Sequence, residues 1–364
     1  VKIKNNMKVC IIGSGLTGLV VAKALVNQNI SVDMLISKKK NKINYSRTIG
    51  LSKSNVEFFN KSIISIKDVL WKLKKIEVYT NNLRSEKILN FENNTNEIFS
   101  IIKNYKLYSL LEKNLKKNKY FNKLNFKEEE NTYENYDIII NNDYFSKITK
   151  KYFNKKIVKK YNSIAYVTIL QHENLINDVA TQIFTKNGPL AFLPISENKT
   201  SIVYSAHNYR DKKNENIKEL IQNFNLKYKI KKIENISLVE LKAVNLRSYY
   251  HENILAFGDL LHKIHPLAGQ GFNISIRDIS ELIKLIKFKI DHGLEINTSI
   301  CKDFEKNVKH KNYIFTNGID LIYEMFYLEN KMKNNIISNS VRYFGRNKTL
   351  NGIFKKFADG GLNY

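Results

Sequence analysis

A glycine-rich turn between a short apolar strand and a helix constrains the fold of this chain more than any other feature. Val9–Ile12 is apolar enough for a buried strand, Gly13–Gly18 reads G-x-G-x-x-G, and Leu16–Asn27 has small and apolar residues along one side of a helix. A second apolar strand follows at Val32–Ile36. This strand-helix-strand unit predicts a parallel sheet of the α/β class. Glycines at this spacing allow a tight turn and a close approach to a pyrophosphate, so we predict a dinucleotide site.

The dinucleotide fingerprint has one departure, at the end of the second strand. An acidic residue is expected there to bind the adenosine ribose, but this chain has Ile36 followed by Ser37. The Ser37 hydroxyl is therefore our candidate for the ribose contact. The backbone N–H groups of Leu16 and Thr17 are candidates for the phosphates, because the start of a helix carries a partial positive charge.

The pattern changes in the middle of the chain and then changes back. From Ser163 to Ala206, short strands of period two separated by turn residues predict an antiparallel sheet. Ile254–Phe257 then returns to a buried strand of the parallel type, and a helix is expected over Asn273–Phe288. We therefore expect a discontinuous first domain (7–75, 100–160 and 250–295), a β-rich second domain (76–99 and 161–249) and a helical region (296–364).

Other segments give weaker signals. Ser54–Leu73 is mostly helical in pattern, and Tyr105–Leu115 reads as an amphipathic helix. The segment 80–100 is polar with weak periodicity, and 116–134 is charged and poor in apolar residues. His172 and His207 stand outside every motif, and we expect no role for them.

A second motif follows the returning strand. Gly258 and Asp259 come directly after it, and Gly269-Gln270-Gly271 leads into the next helix. A carboxylate at such a strand end can accept hydrogen bonds from a polyol. Glycines at a helix start let backbone N–H groups point at developing negative charge.

The segment Gly258–Asn273 resembles the second FAD motif of the flavoprotein aromatic hydroxylases, and most closely that of the ubiquinone-biosynthesis branch. That branch carries Gly-Asp-x-x-His-x-x-His-Pro-x-x-Gly-Gln-Gly-x-Asn, and every fixed residue type stands in this chain. Ser46–Ser52 resembles the family's Arg-x-x-x-Leu-Ser segment, whose arginine lies near the flavin. Gly188–Pro194 resembles the strand that faces the flavin ring. The resemblance is tight in 8–25, 46–52, 188–194 and 254–280.

The resemblance implies a Rossmann-type FAD-binding domain, discontinuous in sequence, with an inserted mixed or antiparallel β-sheet substrate domain and C-terminal helices. It implies a monooxygenase that hydroxylates the aromatic ring of a polyprenylated ubiquinone precursor with dioxygen, through a flavin hydroperoxide. Arg47, His265 and Pro266 would line the reacting side. The cofactor-binding residues would be Gly13, Gly15, Leu16, Thr17, Gly18, Ser37, Arg47, Asp143, Gly258, Asp259, Pro266, Gly269, Gln270, Gly271, Phe272 and Asn273.

The family's middle motif is altered in this chain. The family places Asp-Gly after a strand, where it supports the pyrophosphate and is implicated in use of a nicotinamide cofactor; here Asp143 is followed by Tyr144. Together with Ile36, this change counts against direct reduction by NAD(P)H, which is one possible electron donor. Two alternatives therefore stay open: another FAD oxidoreductase, such as an isoprenoid-lipid reductase, or a non-catalytic flavoprotein-like subunit of a quinone-biosynthesis assembly.

The charge of the chain is strongly positive. Sixty Lys and Arg against 34 Asp and Glu give a net charge of +26. This excess is explained by compositional bias, by an anionic membrane surface or, least well, by nucleic acid, because no single basic motif stands out. The charge makes a membrane surface an expected partner, and the resemblance implies other ubiquinone-biosynthesis proteins as further partners. The aromatic and basic stretch Tyr323–Phe357 would either pack on the protein or lie on a membrane.

Few sequence features bear on metal binding or location. The two cysteines exclude a disulfide framework and fit a reducing cytoplasm. No segment reaches the roughly 18 uncharged apolar residues of a membrane span. His262 and His265 have a metal-like spacing but lack further ligands, so we expect no metal.

Overall fold

The computed structural model describes residues 7–36, 45–81, 86–92, 97–125, 133–207, 216–265, 269–332 and 334–347, with positions 352, 356 and 359. Two residues of the predicted site, Ser37 and Pro266, lie outside these ranges.

The described residues form three sheets and a set of helices. The strands are β1 (Lys8–Ile12), β2 (Ser31–Ile36), β3 (Thr48–Ser52), β4 (Leu70–Leu73), β5 (Lys75–Thr80), β6 (Glu86–Glu92), β7 (Phe99–Lys103), β8 (Phe121–Asn125), β9 (Ile138–Asn141), β10 (Lys156–His172), β11 (Val179–Thr185), β12 (Gly188–Ser196), β13 (Lys199–His207), β14 (Ile230–Ile233), β15 (Ser237–Leu246), β16 (Tyr250–His251), β17 (Ile254–Ala256) and β18 (His262–Lys263). The helices are α1 (Leu16–Val26), α2 (Lys53–Phe58), α3 (Asn104–Leu115), α4 (Lys147–Tyr152), α5 (Ile217–Asn223), α6 (Gly271–Asp291), α7 (Ser299–Met332) and α8 (Ile336–Arg346).

The first sheet is the predicted parallel one, which confirms the α/β class. Its order is β16-β17-β9-β1-β2-β8, and every pair is parallel except β16 with β17. The returning strand β17 lies beside β9 and is separated from β1 by that strand alone, so the motif after β17 comes close to the turn after β1. The edge strand β8 was not predicted: four of its five residues are exposed, so it lacks the apolar signal of a buried strand.

The second sheet is the predicted β-rich unit. Its order is β18-β15-β10-β13-β12-β11-β5-β6, with β14 also paired to β10. The pairs are antiparallel except β11 with β5, so the sheet is mixed. Strand β10 starts at Lys156 and β5 at Lys75, and the residue limits of the two domains stay a prediction.

The helix expected over Ser54–Leu73 is wrong beyond its first turns. Helix α2 continues into a π-helical turn at Phe59–Ile63, and Ile64 is already extended. A short 3-10 turn and strand β4 follow, and β4 pairs with β7 in a third, three-stranded sheet with β3. Apolar residues recur here at a helix-like spacing, but β-branched Ile64 favours the extended backbone that it adopts.

The helices near the C-terminus pack against each other and against strands of the first and second sheets. Helix α6 packs against α1 and α7, and α8 packs on β6. Within the part of the chain that the structure describes, no helix has the length and apolar character needed to cross a membrane.

A buried pair links the second motif to these helices. His262 Nε2 lies 2.6 Å from Asp278 Oδ2, with both side chains 1% exposed. Asn312 of α7 donates to the other carboxylate oxygen at 2.9 Å. Asp278 thus joins β18, α6 and α7.

We expect Asp278→Ala to lower the free energy of unfolding by about 3–5 kcal/mol, because it leaves buried polar groups without a partner. Urea denaturation measures the change. Lys284→Ala on the same helix removes an ammonium group whose side chain is 70% exposed and pairs with Glu281, and should change the free energy of unfolding by less than about 1 kcal/mol. Equal effects of the two variants would contradict this prediction.

Candidate functional site

The turn between β1 and α1 needs its glycines. Gly13 has φ +99, and a Cβ atom there would lie 3.3 Å from the backbone of Asn142 and Asp143. A Cβ on Gly18 would lie 2.7 Å from the Gly13 carbonyl oxygen. Gly15 is the N-cap residue of α1, and it has no side chain that could accept a hydrogen bond from the first N–H groups of the helix. The first N–H groups of α1 therefore lie at a turn shaped by close backbone contact, which is the geometry that phosphate binding uses.

Asn142 joins this turn to the second motif. With its amide nitrogen donating to the Phe257 carbonyl at 3.2 Å, its amide oxygen accepts from the Gly18 N–H at 3.1 Å. The backbone is tied as well, because Asn142 N–H donates to Ile12 and Phe257 N–H donates to Asn141. One side chain therefore caps α1 and holds the end of β17.

The turn after β17 lies directly against α1. Gly258 has φ +63, and a Cβ there would lie 2.5 Å from Asn142 and 3.1 Å from Thr17 Cγ2. Gly258 is buried, while the neighbouring Asp259 is exposed. The two glycine turns, which are 240 residues apart in sequence, thus converge.

The entry to α6 lies against β3. Gly269 has φ +65, and a Cβ there would lie 3.5 Å from Gly50 N. Asn273 is fully buried; its amide donates to the Gly50 carbonyl at 3.0 Å and accepts from Ser52 N–H at 3.0 Å. Arg47, three residues before Gly50, is exposed at the start of β3.

Two other predicted residues are placed at this entry. Gln270 is buried, and its Oε1 atom has no hydrogen-bond partner among the described residues. Phe272 is partly buried and packs against the core of the parallel sheet. Leu16 packs on the same core.

The altered middle motif follows β9. Asp143 accepts a hydrogen bond from Phe145 N–H at 2.8 Å, so its carboxylate closes its own turn. The Tyr144 hydroxyl accepts from Lys156 Nζ at 2.6 Å, and its ring lies 5.5 Å from Lys242 Nζ. The hydrogen bond from Lys156 and the nearby positive charges lower the pKa of Tyr144. These lysines hold the ring beside β10 and β15.

His265 is the least satisfied polar residue of the site. It is fully buried, and neither ring nitrogen has a hydrogen-bond partner in the described ranges. Its ring lies 3.8 Å from the Tyr323 ring and meets the Tyr161 ring edge-on at 5.2 Å. Burial, with a smaller effect of nearby His207, lowers the pKa of His265 to about 3. The imidazole is therefore neutral at neutral pH and presents two unused polar atoms.

A chain of hydrogen bonds beside His265 was missed by the sequence reasoning. Ser163 donates its hydroxyl proton to the Tyr161 carbonyl at 3.0 Å, so it accepts from the Tyr323 hydroxyl, 3.0 Å away. The Tyr323 oxygen then accepts from His207 Nδ1 at 2.9 Å. His207, for which we expected no role, thus belongs to this cluster.

The cluster extends to the strand that resembles the flavin-facing one. His207 Cδ2 lies 3.4 Å from the position of a Cβ on Gly188, the first residue of β12. Tyr161 donates its hydroxyl to Asp320 of α7, whose pKa is raised by burial. No local pattern announces these residues, because they meet only through the packing of α7 on the large sheet.

Comparison with known proteins agrees with this geometry. A protein-family model described as an FAD binding domain matches residues 6–68 and 147–292. The ubiquinone biosynthesis monooxygenase COQ6 of Schizosaccharomyces pombe is 25% identical over 272 residues, which cover 61% of this chain and 57% of that protein. The 3-demethoxyubiquinol 3-hydroxylase of Escherichia coli is 30% identical over 175 residues, 46% of this chain and 44% of that one. The chain spans about half the length of the curated relatives it matches.

Solved structures share the fold. The p-nitrophenol 4-monooxygenase PnpA of Pseudomonas putida superposes with a TM-score of 0.77 at 11% identity, over 98% of this chain and all of that one. The HpxO protein of Klebsiella pneumoniae, solved with FAD and uric acid, has a TM-score of 0.74 at 12% identity, over 98% of both chains. At such identities the likeness shows the fold alone.

The described residues fit an FAD molecule. The glycines leave room where a side chain would clash, the N-terminus of α1 lies at the first turn, and buried polar atoms of Gln270 and His265 have no hydrogen-bond partner among the residues that the structure describes. Unpaired buried polar atoms are costly, so they indicate a ligand group that binds there.

Two glycine substitutions should separate folding from cofactor binding. A Cβ on Gly18 would collide with backbone, so Gly18→Ala should lower the free energy of unfolding by about 1–3 kcal/mol. A Cβ on Gly15 meets its nearest neighbour at 3.4 Å. Gly15→Ala should therefore keep the fold but weaken FAD binding at least about tenfold, by obstructing the pyrophosphate.

Urea denaturation and FAD fluorescence titration measure these two effects. Gly352→Ala is the control, because it lies outside the predicted cofactor site and a Cβ there meets no heavy atom of the described residues within 4 Å. Unchanged FAD affinity in Gly15→Ala would contradict the proposed phosphate position.

His265 should make stability pH-dependent. The unfolded chain binds a proton on this histidine below about pH 6.5, whereas the folded chain excludes it down to about pH 3. The free energy of unfolding should therefore fall as the pH drops through this window. His265→Phe should remove up to about 2 kcal/mol of that loss at about pH 5.

Urea midpoints without added flavin, at about pH 7 and about pH 5, test this prediction. His310→Phe, at an exposed position of α7, should keep the wild-type pH dependence. A His265→Phe variant with the same pH dependence as the wild type would show that His265 protonates freely in the folded chain.

Proposed function

Because this chain belongs to the FAD-binding domain family, we propose that it is an FAD-dependent monooxygenase that hydroxylates the aromatic ring of a polyprenylated ubiquinone precursor. The observation that carries the proposal is the convergence of the turns at Gly13–Gly18 and Gly258 on the Asn142 side chain. The names of the matched relatives support the substrate class.

The proposed contacts of FAD follow from the placement of each element. The backbone at Gly13, Gly15 and the start of α1 would bind the pyrophosphate, and exposed Asp259 would accept hydrogen bonds from the ribityl chain. The turn at Gly269–Asn273 would approach the flavin ring, with β3 behind it. The chemistry supplied by bound FAD is the activation of dioxygen for transfer of one oxygen atom.

The reacting side would be formed by Arg47, His265 and Pro266. Exposed Arg47 would attract an electron-rich, phenolate-like ring. The role of Pro266 rests on the resemblance alone. Neutral His265 would offer its unpaired nitrogens to a substrate hydroxyl, while Tyr161 and Tyr323 hold its ring from two sides.

The electron donor is NAD(P)H in our proposal. Tyr144 replaces a glycine near the first turn, but its ring is bound by Lys156 beside β10. The substitution therefore leaves the conformation of the turn at Gly13 unchanged. A polyprenylated precursor is lipophilic, so the enzyme would take it from a membrane surface, in company with other ubiquinone-biosynthesis proteins.

An oxygen-18 experiment tests the proposed reaction. The purified chain with FAD, given NAD(P)H and labelled dioxygen, should add one labelled oxygen atom to a polyprenylated phenol, detected by mass spectrometry. A strain lacking the gene should accumulate the unhydroxylated precursor.

Other outcomes would point to the alternatives. NAD(P)H consumption with reduction of an isoprenoid double bond and without label in the product would identify a reductase. Absence of flavin absorption after mild purification, and of FAD binding in titration, would identify a non-catalytic subunit.

A further inference from the structure

The outward face of α7 carries an apolar stripe. Its members are spaced by seven, four, three and four residues, so they lie on one side of the helix. They are between 37% and 68% exposed: Ile314, Leu321, Met325, Leu328 and Met332. Large apolar side chains in such a row are unusual on a protein surface without a partner.

The stripe is separate from the packed side of α7. The opposite face buries Phe304, Phe315, Ile319, Tyr323 and Phe326 against the protein. Helix α7 therefore has two apolar faces, and the structure covers one of them.

Helix α8 also carries exposed apolar side chains. Ile336, Tyr343 and Phe344 are 68%, 73% and 42% exposed, at positions i, i+7 and i+8. The helix is firmly held, because buried Glu329 of α7 accepts hydrogen bonds from Ser338 N–H and its hydroxyl at 2.8 and 2.6 Å. We call the exposed residues of α7 from Ile314 onward, with those of α8, the outer face.

The fully exposed charges of the outer face are basic. Of the three acidic residues that α7 carries after Ile314, Asp320 and Glu329 are buried, and Glu324, with 47% of its side chain exposed, pairs with Lys159. Asp320 accepts a hydrogen bond from Tyr161. The exposed charged residues of the outer face are Lys331 and Arg346, and Lys302 and Lys306 are exposed on α7 before Ile314.

We propose that the outer face lies on an anionic lipid bilayer. An apolar stripe flanked by basic residues is the pattern of helices that lie in a membrane interface, and each basic residue near an anionic surface adds attraction. Nucleic acid would leave the stripe in water. A second copy of the chain would bring a second charge of +26 to the contact, which disfavours it.

The membrane proposal extends the proposed function and rests on it, because the proposed substrate is lipophilic. Tyr323 lies on α7 between Leu321 and Met325, and its ring packs on His265. One helix thus separates the lipid-facing surface from the proposed reacting side. A ring entering past α7 could keep its polyprenyl tail in the membrane.

Vesicle co-sedimentation of the full chain tests the surface. We expect binding to vesicles of phosphatidylglycerol mixed with phosphatidylcholine, and at least about tenfold weaker binding to phosphatidylcholine alone. The double variant Leu321→Gln with Leu328→Gln should weaken binding to the anionic vesicles by at least about tenfold. Because both side chains are exposed, its urea midpoint should match that of the wild type.

A matched control lies outside the outer face. Ile176→Gln with Leu226→Gln changes two side chains that are 85% and 55% exposed in the β-rich unit, and should bind vesicles like the wild type. The proposal is overturned if the Leu321 and Leu328 variant binds anionic vesicles like the wild type, or if both double variants lose binding equally. It is also overturned if the wild type binds no vesicles but forms a dimer that the Leu321 and Leu328 variant dissolves.

Failure of the membrane proposal and failure of the proposed function can be told apart. A short-chain phenol in detergent micelles needs no bilayer, so the outer-face variant should hydroxylate it at the wild-type rate. Vesicle binding without hydroxylation of any phenol would refute the function and keep the surface. Hydroxylation in micelles without vesicle binding would refute the membrane surface and keep the function.

Discussion

The contact of the Asn142 amide with the Gly18 N–H and the Phe257 carbonyl holds together three segments that are far apart in sequence. It works because α1, β9 and β17 approach closely at this point, which glycine permits at Gly13, Gly18 and Gly258. A side chain at these positions would push the turns apart. The predicted cofactor site is therefore defined first by backbone distances and only then by side-chain chemistry.

The elements that could be predicted from sequence are those whose signal is local. The strand–turn–helix unit around Gly13 and the period-two strands from Ser163 onward carry their apolar pattern and turn residues within a few positions. Strand β8 carries no such pattern, because it is an exposed edge that gains its pairing from β2. Strand β4 was mistaken for helix because it gains its strand conformation by pairing with β7, about 30 residues later in the chain, and no local signal reveals that pairing.

The candidate site divides in the same way. Its glycines, Asp259 and Asn273 were found because a motif places them in a fixed order. The cluster of Tyr161, Ser163, His207 and Tyr323 was missed, because β10, β13 and α7 meet only in the folded chain. Tyr144 shows the opposite case. The sequence marks it as an obstruction, but Lys156 and Lys242 hold its ring on the large sheet, and that outcome depends on residues absent from the motif.

Helix α7 connects the inner chemistry to the outer surface. Its acidic residues Asp320 and Glu329 are used inside the protein, for Tyr161 and for the start of α8. With those carboxylates turned inward, the outer face keeps lysine and arginine beside apolar side chains. Such a surface is poorly suited to water, since exposed apolar area favours association, and poorly suited to self-association, since its charges repel. An anionic bilayer would cover the apolar stripe and attract the basic residues beside it. The outer face has this character because α7 directs Asp320 and Glu329 into the protein.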